Sequence, residues 1–139
     1  MANIKVAYGT STDITPAGLQ SLASGSSVAT ASQNNTSNLY EDYLVEVTIA
    51  GTAATTAHVD FYLLSSQGGT NFDTQASASL LGSILLSSTQ QQRNFSIRAN
   101  ANLDSCPPYF EILAVNNTGA ALAASGNAIK VQGVYFTVV

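Results

Sequence analysis

Apolar and polar side chains alternate with period 2 in several short runs along this chain, the pattern of half-buried β-strands. Residues 39–50 place Tyr43, Val45, Val47 and Ile49 on one face and Asp42, Leu44, Glu46 and Thr48 on the other. A loop follows at residues 51–56. HVDFYLLS then turns Val59, Phe61 and Leu63 inward and His58, Asp60 and Tyr62 outward, and closeness in sequence predicts a hairpin between these two runs. LLGSILL is a third strand, whose Gly82 signals a bulge or a close backbone approach. RNFSIRA directs Phe95 and Ile97 inward, and YFEILAV has Phe110 and Ile112 on one face with Leu113 and Val115 on the other. Residues 127–139 differ from all of these. Val134, Phe136 and Val138 form one apolar row, and Ile129, Val131, Tyr135 and Val139 form a second. A strand apolar on both faces requires cover on both, from a second layer or from a partner.

The N-terminal part is weaker. Residues 4–8 read as a short strand or arm, and residues 1–27 as a possible N-terminal arm of the domain. In TPAGLQSLASG, Thr15 is placed to cap, Pro16 to open and Gly25 to close one or two helical turns. Residues 24–38 carry Val28 as their one sizeable apolar side chain and read as a weak edge strand or a loop. Cys106-Pro107-Pro108 ends any strand that reaches it, and NNTGAALAASG is a long turn before the last strand. Roughly seven or eight strands separated by turn signals predict an all-β chain. The expectation is a single domain over residues 1–139, an antiparallel β-sandwich, jelly-roll-like, with at most one short helix near the N-terminus. Its core is predicted to hold Val45, Val47, Ile49, Val59, Phe61, Leu63, Phe95, Ile97, Phe110, Ile112, Val134 and Phe136.

Composition changes the picture in one respect. Charged residues make up 9% of the 139, against about 25% in ordinary soluble domains. A polar surface with little charge resists association weakly, which points to a chain that packs against neighbours. The net charge of −4 and the four scattered basic residues argue against nucleic acid as a partner. No apolar run approaches the length of a membrane span, and MANIKVAYG has no apolar signal core. Together with a single cysteine, Cys106, this predicts synthesis in a cytoplasm and no membrane partner.

Chemistry-bearing groups are sparse. With His58 as the one histidine and no phosphate loop, paired metal ligands or nucleophile elbow, no catalytic, cofactor-binding or metal-binding residue is assigned, and an enzyme is not expected. His58 and Asp60 share a strand face that would lie near Glu46 if the hairpin forms, but outward polar residues on a strand are ordinarily just solvated. Glu41, Asp42 and Glu46 form the densest acidic group. Their strand scatters them over both faces, unlike the single-loop carboxylates of calcium sites. The chain has six tyrosines and no tryptophan. Strand tyrosines serve as cross-strand packing or interface anchors, and Tyr8, Tyr40 and Tyr43 are the candidate partner-interface residues.

NNTSNLYEDYLVEVTI (residues 34–49) and AVNNTGAALAASGNAIKVQGVYFTVV (residues 114–139) resemble stretches of small structural proteins of tailed bacteriophages, in which an Asn-Leu-Tyr segment opens a Val-rich strand and a Gln-Gly-Val-Tyr strand closes the chain. The two stretches cover less than half the chain and carry no catalytic motif. The resemblance implies a virion component on the capsid exterior, a head decoration or cement protein whose partner is the major capsid protein. A homo-oligomer, trimer or dimer, is expected from the symmetry of such shells. The alternative is a glycan-binding β-sandwich of a head or tail fibre, which would show two or three tyrosines on one open face or in a cleft.

Overall fold

A computed structural model describes residues 2–52 and 58–139. Among these residues the strands are β1 (Ile4–Tyr8), β2 (Thr12–Asp13), β3 (Ser27–Ala29), β4 (Gln33–Asn34), β5 (Asp42–Ile49), β6 (His58–Ser66), β7 (Ser79–Leu85), β8 (Gln91–Ser96), β9 (Tyr109–Asn116) and β10 (Ala128–Val138). They form two antiparallel sheets. One has the order β1-β10-β5-β8, with β2 also on β10; the other has the order β3-β9-β6-β7, with β4 also on β9.

The pairings β1 with β10, β3 with β9, β5 with β8 and β6 with β7 match the first half of the chain to the second in reverse order. One long antiparallel hairpin is thus wrapped into two layers. This is the jelly-roll order, and the expected all-β sandwich is what the chain forms.

The expected hairpin between the runs at 39–50 and 58–65 does not form. β5 pairs with β10 and β8, while β6 pairs with β9 and β7 in the opposite sheet. Doubling the length of a connecting loop costs only about 0.6 kcal/mol, so nearness in sequence is a weak preference. Central positions beside the apolar β10 and β9 outweigh it. Residues 53–56 of the loop expected there lie outside the described residues.

Two helical segments are present among the described residues. A 3-10 turn at Ala17–Leu19 follows an extended Pro16, and it is shorter than the one or two turns expected. Thr15 does not cap it, because the Thr15 hydroxyl exchanges hydrogen bonds with the backbone of Ile129 and donates to Asp13. The second, α1 (Ile97–Asn100), replaces the end of a strand expected through Ala99. Ser96 explains it: its hydroxyl accepts the Ala99 amide at 3.1 Å as an N-cap, and Ile97 stays in the core. Residues 24–38 supply two short edge strands, β3 and β4, both on β9.

Ten of the twelve expected core residues, from Val45 through Ile112, are 0–1% exposed, so the alternation identified the inner faces correctly. Gly82 meets both expectations for it. The β6–β7 register shifts beside it, and a Cβ there would strike the buried ring of Phe95. Val134 and Phe136 are the exceptions: Val134 is only partly buried and Phe136 is 57% exposed. Ile129 and Val131 occupy the inner face of β10, so the two-residue period sends Val134, Phe136 and Val138 to the outer face of the same strand.

Candidate functional site

β5 accompanies β10 only as far as Val134, whose partner is Asp42. Beyond it β10 continues with β1 as a two-stranded ribbon. The register Ile4↔Val138, Val6↔Phe136, Tyr8↔Val134 sets these six side chains directly opposite one another, and opposed residues of an antiparallel pair share a face. The ribbon therefore carries one continuous apolar face. Ile4 is 70%, Val6 48%, Tyr8 57%, Phe136 57% and Val138 68% exposed. Lys5, the one charged residue of the ribbon, pairs with Thr137 on the other face.

β1 is also an edge strand. The backbones of Asn3 and Val139 exchange hydrogen bonds and Gly9 donates to Gly133, so by alternation the N–H and C=O groups of Ile4, Val6 and Tyr8 point to the open side.

Where the ribbon leaves the sandwich, a cleft of about 670 Å³ opens among Tyr8, Asn38, Leu39, Tyr40, Glu41 and Tyr135. Tyr40 is its fixed wall. Its ring lies over Gly133, where a Cβ would clash with it, and its hydroxyl lies against Gly9. A line of rings runs from the core to this wall: Phe110 to Tyr43 at 4.9 Å, Tyr43 to Tyr40 at 5.3 Å and Tyr40 to Tyr135 at 5.8 Å.

The loop bearing Tyr40 is held by one buried amide. Asn35 accepts the Tyr40 N–H at 2.9 Å and donates to the Tyr40 carbonyl at 3.0 Å, while its own carbonyl accepts the Leu39 N–H. Leu39 sits at the turn with φ of 51° and is 72% exposed. A left-handed leucine with its side chain in water is costly locally, and such strain gathers at surfaces that bind.

The three tyrosines singled out from the sequence thus separate. Tyr8 stands on the exposed ribbon face and Tyr40 lines the cleft. Tyr43 is 6% exposed and packed between Phe110 and Tyr40 in the protomer's own core, so it is no surface contact but supports Tyr40 from beneath. Its hydroxyl pKa is pushed up to about 12, chiefly by burial and secondarily by the nearby Cys106. The sequence reading did not single out Ile4, Val6, Leu39, Tyr135 or Phe136 as contacts. The signals were the double apolar face of β10 and Gly133 inside a strand, since glycine there marks a close approach.

Elsewhere, the carboxylates of Asp60 and Asp42 are committed to the fold. Asp60 accepts Ser83 and Asn117, and it shares no sheet with Glu46. Asp42 accepts the Arg98 and Tyr43 amides and the Ser96 hydroxyl, tying α1 to β5. Burial holds the Cys106 thiol up at about 12, with Asp42 adding to the shift, so it stays protonated and unreactive near neutral pH. Among the described residues no group of three His, Cys, Asp or Glu side chains is placed to hold a metal ion, and no helix is long and apolar enough to cross a membrane.

No family model and no curated protein matches this chain. What the fold adds is spatial: Asn38-Leu39-Tyr40 and Gln132-Gly133-Val134-Tyr135, far apart in sequence, meet where the Tyr40 ring crosses Gly133.

Proposed function

We propose that this chain is a virion structural protein, a capsid decoration or cement protein that binds the outer face of a tailed-phage head and stabilises it. The observation that carries the reading is the apolar, uncharged face of the terminal ribbon beside a rigid aromatic cleft. Uncharged surface is inexpensive to strip of water, so this end of the molecule suits permanent contact with protein. The two stretches that resemble phage structural proteins meet in the cleft, whose remaining wall is Tyr8, Gly9 and Thr10. A ligand that binds only the assembled shell stabilises it by mass action, without any chemistry.

One observation favours a second reading, a glycan-binding module of a head or tail fibre. Tyr8, Tyr40 and Tyr135 line a single cleft together with the Asn38 amide and the Glu41 carboxylate, groups suited to stack on and hydrogen-bond a sugar. Jelly rolls serve both capsids and lectins, so the fold is neutral between the two.

The deciding experiment adds the labelled chain to phage heads that lack it and, in parallel, to host-surface polysaccharide. Saturable binding to heads, weakened by removing residues 1–8 and by Leu39→Asp, supports the cement reading. Binding to polysaccharide alone, lost in Tyr40→Ala, replaces it with the fibre module.

A further inference from the structure

We infer that the apolar face of the β1–β10 ribbon is covered by the same face of a second copy of this chain. The inference rests on reading this end of the molecule as an assembly surface, and it commits to what covers it. Val6 and Phe136 form the centre of the face, with Ile4 and Val138 on one side and Tyr8 and Val134 on the other. From these exposures the face presents on the order of 500 Å², the size of the largest patch on a typical monomer. Two copies meeting face to face would bury about 1,000 Å² in total, the lower bound for a specific interface.

Charge favours a like partner. Of the eight acidic residues, in a chain of net charge −4, none belongs to the ribbon; Asp42, which opposes Val134 and so borders its face, is tied to α1 through the Arg98 amide and the Ser96 hydroxyl, and Glu41 lines the cleft beside Tyr8 and Phe136. Two copies that repel elsewhere can meet on a row of six uncharged side chains, with ionised groups only at its margin. A foreign partner recognised by charge would find nothing to read. Interfaces between identical chains are the apolar class, and a symmetry axis through the Val6–Phe136 row lets the patch match itself.

The cleft adjoins this face and shares Tyr8 and Phe136 with it. Gly133 and Tyr135 belong to the inner-face series of β10, with Tyr40 packed on them from the loop after β4, whereas the six ribbon residues belong to the outer face. A second copy seated on the ribbon would therefore border the cleft, with Leu39 and Tyr40 on the cleft's other side. Copies joined by their ribbons would then present paired Leu39–Tyr40 loops.

The test is the mass of the full-length purified chain by analytical ultracentrifugation over a wide concentration range, without any shell present. The expected result is a reversible oligomer that Val6→Glu and Phe136→Ser each convert to folded monomer, with circular dichroism unchanged. Lys5→Glu, which adds an acid to the opposite face of the same ribbon, should leave the oligomer intact. If Val6→Glu fails to fold, Phe136→Ser decides. A wild-type chain that stays monomeric throughout, or an oligomer unaffected by both apolar-face variants or dissolved equally by Lys5→Glu, overturns the inference. Head binding by a monomeric wild type would preserve the cement reading while removing this one; an oligomer that ignores heads would do the reverse.

Discussion

The ring of Tyr40 lies in the space that a side chain on Gly133 would fill, joining the loop after β4 to the middle of β10. Gly133→Ala should therefore be destabilising, although alanine is favoured over glycine in a strand by roughly 0.5–1 kcal/mol. Overpacking costs about 1–3 kcal/mol and wins here, because Tyr40 is also held by Asn35, Tyr43 and Tyr135. Urea unfolding should show the loss. The double variant Gly133→Ala, Tyr40→Ala should be more stable than the sum of the single changes requires, since the clash is then gone.

Asn116 is fully buried and fastens the turn before β10 to the N-terminal segment. Its amide donates to the carbonyls of Leu22 and Ala120 at 2.8 Å each, and its oxygen accepts the amide and hydroxyl of Thr118. Asn116→Ala strands these buried groups at about 1–3 kcal/mol apiece before relaxation, so a net loss of about 2–4 kcal/mol is expected in the urea midpoint. The neighbouring Asn117, exposed and bonded to Asp60, should cost about 0.5 kcal/mol or less when changed to Ala.

Alkaline titration should weaken the fold in a definite window. Cys106 and Tyr43 both have folded pKa values of about 12, above their ordinary values of 9.0 and 10.0. Between those limits the unfolded chain releases protons that the folded chain retains, so stability falls as pH rises. The decline should begin near pH 9, steepen above 10 and be absent between pH 6 and 8 from these two groups. In Cys106→Ser, if it folds, the onset should move toward pH 10. Thiol reagents should label Cys106 slowly at pH 7.5 in the native protein and rapidly in urea.

Much of the fold was legible because period 2 fixes which residues share a face, and Val45, Val47, Phe61 and Ile112 went where their spacing sent them. Pairing was not legible. Nothing in residues 39–66 marks β5 and β6 as members of opposite sheets, since that choice depends on β9 and β10 more than forty residues later. The start of α1 depended on a single hydroxyl, that of Ser96, within an otherwise strand-like run. At the candidate site, Tyr8 was legible as an exposed aromatic on an arm. Phe136 was misplaced because an apolar row reads the same whether it faces a core or a partner. The burial of Ile129 and Val131 puts the row on the outer face, and the register with β1 extends it through Ile4, Val6 and Tyr8.

The cement reading is tested most directly by scanning calorimetry of phage heads that lack this chain, heated with and without saturating amounts of it. Wild-type protein should raise the melting temperature of the shell in a saturable way, with a smaller rise for Leu39→Asp and for the chain without residues 1–8 at equal concentration. A shell transition that does not move at any concentration of folded wild-type protein contradicts the proposed function.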